Sequence, residues 1–139
     1  MLRKDFISTL GFSVAAVCGG CLAACSKSNS VSGGAAPTNV NFNIDLASEL
    51  INVGDSKPVG GVIVVRTAAG NTAASFTAVQ LACTHEGASI AWNTSVNEFV
   101  CPLHGSIFTA GGAVVNGPAT SPLKKYTIVV TNTTLNVTG

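Results

Sequence analysis

Charge is scarce in this chain. Lys, Arg, Asp and Glu make up 9% of its 139 residues, and the formal net charge is +1. No basic patch is available to track a phosphate backbone, and no acidic run forms a charged tail. Nucleic acid is therefore excluded as a partner. Aromatic residues supply only 6%. There is no internal repeat. Histidine occurs twice and cysteine five times, with three of the cysteines at positions 18, 21 and 25. Beyond residue 25, all the soft ligands are Cys83, His85, Cys101 and His104. The length fits one domain.

Hydrophobic residues reach 47%, and part of that excess lies at the front. Residues 1–25 read "MLRKDFISTLGFSVAAVCGGCLAAC": a short charged start, then an uncharged run from Phe6 to Cys25. That is the layout of an export signal. Without it the chain keeps five residues of each sign, so the mature protein is near neutral. The run ends in "LAAC", which resembles the bacterial lipobox, with Cys25 as the lipidated residue; Cys18 and Cys21 lack that context. A simple signal peptide cut nearby and an uncut anchor are the competing readings, because Phe6 to Ala24 is just long enough to span a bilayer. All three place the domain outside the cytoplasm. "LRKDFIS" resembles the twin-arginine export motif, with Lys4 in place of the second arginine; a general secretory n-region is the alternative. The expected location is the bacterial cell envelope, in the periplasm or on the outer face, as a membrane-anchored lipoprotein. Ser26 lacks the aspartate that retains lipoproteins at the inner membrane, so outer-membrane sorting stays open.

Residues 26–38, "SKSNSVSGGAAPT", read as a flexible linker, and the domain is expected over 39–139. "VNFNIDL" alternates with period two, as a half-buried strand does. "GVIVVRT" is a β-branched run fit for a buried strand. It returns through "AAGNT" into "ASFTAVQLA", which predicts a hairpin. "KKYTIVV" and "TLNVTG" predict a second hairpin at the far end. Short strands between Gly/Asn turns indicate an all-β domain. A short helix is weakly signalled over 46–51. Lys124 and Lys125 read as a solvated strand edge. Asn93, Asn132 and Asn136 match glycosylation sequons, and here read as surface and turn composition. The central stretch, about 82–110, differs: two loops, joined by "SIAWN" and "NEFV", each carry one cysteine and one histidine. Trp92 and Phe99 are expected to pack the core between them.

The spacing is Cys83-x-His85, fifteen residues, then Cys101-x-x-His104. Two thiols and two imidazoles suit a tetrahedral zinc ion that takes all four. They equally suit a [2Fe–2S] cluster with two cysteines on one iron and two histidines on the other. A third reading, a Cys83–Cys101 disulfide in an oxidising compartment, leaves the histidines at +2 and +3 unexplained.

The residues around the ligands separate these readings. "CTHEG" followed by "CPLHGSIF" resembles the Rieske [2Fe–2S] family, including Gly87, Pro102, Gly105, Ser106 and the aromatic Phe108. "GGAVVNGPATSPLKKY" resembles the family's Gly-Pro loop, with Pro118 shaping it. Zinc fingers of the Cys2His2 type place both cysteines first and both histidines on a helix, which is not the order here. The resemblance runs from Leu81 to about Tyr126. It implies an antiparallel β-sandwich or barrel base with a small inserted cluster-binding subdomain, and one Rieske-type cluster held by Cys83, His85, Cys101 and His104. High-potential members of the family carry two more cysteines that join the loops; Ala88 and Leu103 stand there, so that disulfide is excluded. Their tyrosine, which bonds a ligand sulfur, is Phe108 here. Their serine, which bonds a bridging sulfide, is kept as Ser106.

The resemblance implies an electron-transfer protein with no catalytic activity of its own, passing electrons between a redox donor and an acceptor. Its alternative is the Rieske subunit of a larger oxidoreductase, quinol–cytochrome c reductase-like or arsenite oxidase-like, with a cytochrome, a quinol-oxidising complex or a molybdenum oxidase as partner. An oxygenase catalytic subunit would need a second iron held by two histidines and a carboxylate, and both histidines are already spent. A zinc-stabilised structural domain is the non-redox alternative.

Overall fold

The computed structural model describes residues 35–139. The expected export signal (1–25), the lipidation candidate Cys25 and most of the expected linker (26–38) lie outside the described residues. Ten strands follow in order: β1 (Asn41–Asp45), β2 (Ser56–Val59), β3 (Val62–Arg66), β4 (Phe76–Gln80), β5 (Ala91–Asn93), β6 (Glu98–Val100), β7 (Ile107–Thr109), β8 (Val114–Asn116), β9 (Thr127–Thr131) and β10 (Thr134–Thr138). They form three antiparallel sheets, ordered β1-β10-β9, β2-β3-β4 and β5-β6-β7-β8. The expected all-β architecture is therefore present: two sheets make the base, and the third is the inserted subdomain.

The hydrophobic run "VIVVR" makes β3, and every residue of it is buried. Side chains alternate between the faces of a strand, so burial throughout means cover on both sides. Val62 and Val64 of β3, with Phe76 and Ala78 of β4, pack against Ile44, Leu135, Val137 and Tyr126 of the first sheet's layer. Ile63, Val65 and Val79 point the other way and join Cys83, Ile90, Phe99, Cys101 and Phe108. The middle sheet thus serves two cores, and the cysteines belong to the second.

Turn chemistry sets the registers. Val59 pairs with Val62, leaving Gly60 and Gly61 as a two-residue turn with both φ angles positive, where glycine carries no Cβ penalty. Thr131 pairs with Thr134, and Asn132 takes the positive φ at the tip of that hairpin. The hairpins expected from "GVIVVRT…ASFTAVQ" and "KKYTIVV…TLNVTG" are both present. The strand β2, not among the strands expected from the sequence, contains Pro58; it is an edge strand, where proline is tolerated.

Two expectations are corrected. Residues 46–51 form no helix. Asp45 accepts backbone bonds from Ser48 and Glu49 and caps Ala47 through Oδ1, but Leu50 turns to φ 52° and ends the coil after one turn. Lys124 is not a free edge lysine. It is half-buried, its Nζ donates to the Pro37 carbonyl at 3.2 Å, and it lies over the Tyr126 ring. Tyr126 Oη donates to the same carbonyl at 2.9 Å, so Pro37, inside the expected linker, is fastened to the domain. The inserted sheet runs through β8 to Asn116.

Candidate metal centre

Two loops of the inserted sheet carry the chemistry, one between β4 and β5 and one between β6 and β7. They share one backbone pattern. Cys83 N–H donates to Ala88 O, and Gly87 N–H donates to Cys83 O. Cys101 N–H donates to Ser106 O, and Gly105 N–H donates to Cys101 O. Gly87 and Gly105 both sit at φ +77°, the left-handed conformation that closes each loop and that a side chain would strain. The sheet brings the loops together, pairing Ala91 with Val100 and Val100 with Ile107.

The four residues read from the sequence meet at one end of this module. Both cysteines are free thiols and buried, Cys83 at 0% and Cys101 at 2% exposure. Both imidazoles are exposed, with ring centroids 5.0 Å apart and planes nearly perpendicular. Sulfur therefore lies inside and nitrogen outside. Burial pushes the Cys83 thiol up, and the neighbouring Cys101 thiol adds to this; hydrogen bonding from the His85 backbone N–H and the Ser106 hydroxyl opposes it. Two thiols held side by side on the protein side of two imidazoles are the donor set that a Rieske cluster takes.

The surroundings hold the loops in place. Ser106 is fully buried, and its Oγ accepts the Ala119 N–H at 3.0 Å. Ala119 follows the cis Gly117–Pro118 bond, so the Gly-Pro loop reaches the second ligand loop through this contact. Pro118 itself is exposed. Phe108 is fully buried, opposite Phe99 in the sheet and in the same core as both cysteines. Trp92 meets Phe99 edge-on at 4.9 Å, as expected of a module core.

Three contributors went unread in the sequence. Thr84 Oγ1 donates to Ser121 O at 2.7 Å and ties the first loop to the Gly-Pro segment. Gln80 donates to Ala82 O from Nε2 and accepts the Lys124 N–H at Oε1, bracing the entry to Cys83. Glu86 brings Oε2 to 3.6 Å from His104 Nδ1 and so puts a carboxylate beside the exposed imidazoles. Thr84 and Glu86 lie inside the "CTHEG" motif, but nothing in the motif announces these contacts.

Fold and donor set together define a β domain whose two paired loops present thiols and imidazoles suited to a small inorganic centre. Residues 43–127 match the model of the Rieske [2Fe–2S] domain, and the chain belongs to that family. Membership implies one Rieske-type [2Fe–2S] cluster. The chain is 43% identical over 63 residues to the cytochrome b6-f complex iron-sulfur subunit of Prochlorococcus marinus (strain MIT 9303), a match covering 45% of this chain and 35% of that protein. It thus spans about a third of the length of such curated relatives. Among solved structures it resembles a cyanobacterial plasma membrane Rieske protein from Synechocystis PCC 6803, with TM-score 0.57 and 29% identity over 72% of this chain and 99% of that one. It also resembles the ferredoxin of carbazole 1,9a-dioxygenase from Nocardioides aromaticivorans IC177, with TM-score 0.55 and 27% identity over 73% and 98% of the two chains. Among the described residues, no helix is long and apolar enough to cross a membrane.

Proposed function

We propose that Cys83 and Cys101 hold one iron of the cluster, that His85 and His104 hold the other, and that the chain is a one-electron carrier. The observation that carries this reading is the sorting of the donors: buried thiols on one side, exposed imidazoles on the other. When bound, the cluster supplies one reversible electron. Phe99, Phe108, Ile90 and Leu123 exclude water from the sulfur side. His85 and His104 sit at the surface, where a partner can come close to the iron they hold. Neutral imidazoles leave the site less negative than four thiolates would, which raises the potential over an all-cysteine cluster. The lipobox-like "LAAC" supports a tether through Cys25 and a place in the cell envelope, with electrons passed between a redox donor and an acceptor.

The reading predicts equal amounts of iron and acid-labile sulfide in protein purified without added metal. Zinc in their place contradicts it. The relatives that are subunits of the cytochrome b6-f complex support a second reading, in which this chain serves a larger oxidoreductase. Stable co-purification of further subunits favours that reading; isolation as a single species favours the carrier.

The potential follows from hydrogen bonds to sulfur. Donors favour the more negative reduced cluster and so raise the potential. Ser106 offers one, while Phe108 offers none and no disulfide joins the loops. The expected potential is in the lower or middle part of the roughly −150 to +300 mV Rieske range. Ser106→Ala lowers it and Phe108→Tyr raises it. About 1.4 kcal/mol of differential stabilisation is about 59 mV for one electron, so each shift is expected on the order of 50 mV. A redox titration of the two variants in which neither moves sinks the hydrogen-bond account.

A further inference from the structure

Ser106 has one hydroxyl proton and two acceptor lone pairs. A buried hydroxyl tunes a neighbouring sulfur only if that proton points at it, and a free rotor would share its proton with any nearby carbonyl. In this fold one direction is taken. The Ala119 N–H donates to Ser106 Oγ at 3.0 Å, both residues are buried, and the donor comes from the Gly-Pro loop, thirteen residues further along the chain. The same hydroxyl acts on the buried Cys83 thiol as a hydrogen-bond donor that opposes the upward push of burial.

We propose that the Ala119 backbone N–H is a positioning group that aims the Ser106 hydroxyl at the sulfur side of the centre and strengthens its donation. Two effects act together. An amide donor on the oxygen occupies one acceptor site and repels the hydroxyl proton from its own side, which leaves the proton facing sulfur. It also polarises the O–H bond, because hydrogen bonds in a chain reinforce one another in a low-dielectric interior. The Gly-Pro loop then does more than brace the second loop. Through a main-chain group that no side-chain comparison would reveal, it sets part of the potential. This rests on the cluster assignment proposed above.

The test removes only the N–H. Replacing Ala119 with lactic acid by nonsense suppression keeps the methyl group and exchanges the amide for an ester. The cluster-loaded full chain is prepared in four forms: unmodified, Ala119→lactic acid, Ser106→Ala, and both together. Potentials are read by titrating the EPR signal of the reduced centre. The ester lowers the potential in the Ser106 protein by part of the Ser106→Ala shift, and changes nothing in the Ser106→Ala background. An unchanged potential in the Ser106 protein overturns the proposal. So does an equal shift in both backgrounds, because the amide would then act on the centre without the hydroxyl. A Rieske signal that survives in all four forms without the predicted pattern disproves the relay alone; no Rieske signal in the unmodified protein disproves the cluster assignment instead.

Discussion

Cys101→Ser yields a colourless protein with no cluster. Cys101 lies at 2% exposure in the core shared with Cys83, Phe99 and Phe108. Serine is nearly the same size, so the loop can still close through the 101 N–H to Ser106 O bond. What disappears is the thiolate, and a serine hydroxyl is a far poorer ligand for iron. The remaining Cys83 cannot hold an iron alone, and the exposed imidazoles have no second iron beside them. Loss of visible absorbance and of iron from a protein that keeps its β-sheet circular dichroism is the expected outcome. A variant with full iron content shows that Cys101 is not a ligand. Leu103→Ser is the matching control: Leu103 lies in the same loop, is 56% exposed, and should leave the iron content unchanged.

Phe99→Ala has the largest expected effect on stability. Phe99 is fully buried in the β5–β6–β7 module, pairs across the sheet with Trp92 and Phe108, and touches the core that holds both cysteines. Phe-to-Ala changes in such sites cost about 3–5 kcal/mol, through lost burial and the cavity left behind. The module is small, so it has little else to fall back on. The thermal midpoint should drop and a chelator should strip iron faster. Val96→Ala, at a 55% exposed position in the β5–β6 turn, should change neither by much. Equal behaviour of the two variants would mean that Phe99 does not hold the module together.

Much of this was legible in the sequence because it was local. Four soft donors in two short motifs marked out the candidate site, and an uninterrupted β-branched run announced the strand that is buried on both faces. The misses were not local. Asp45 starts a turn that looks like a helix in sequence, but Leu46 and Leu50 are drawn into the core and the turn ends there. Lys124 looks solvated until the fold brings Pro37 beside it. Thr84 meets Ser121 thirty-seven residues on, and Gln80 meets Lys124 forty-four residues on, so no window of sequence contains either pair. Glu86 was visible as a residue but not as a neighbour of His104, since that depends on how two loops face each other. The candidate donors were readable as a motif; the groups that brace their loops are a property of the fold.

The central claim is that these two loops hold a [2Fe–2S] cluster with cysteine on one iron and histidine on the other. EPR of the dithionite-reduced protein, purified without added metal, tests it most directly. The account predicts a rhombic signal whose average g value lies below that of the free electron. A silent sample that contains zinc would contradict it and leave a zinc-stabilised β domain in its place.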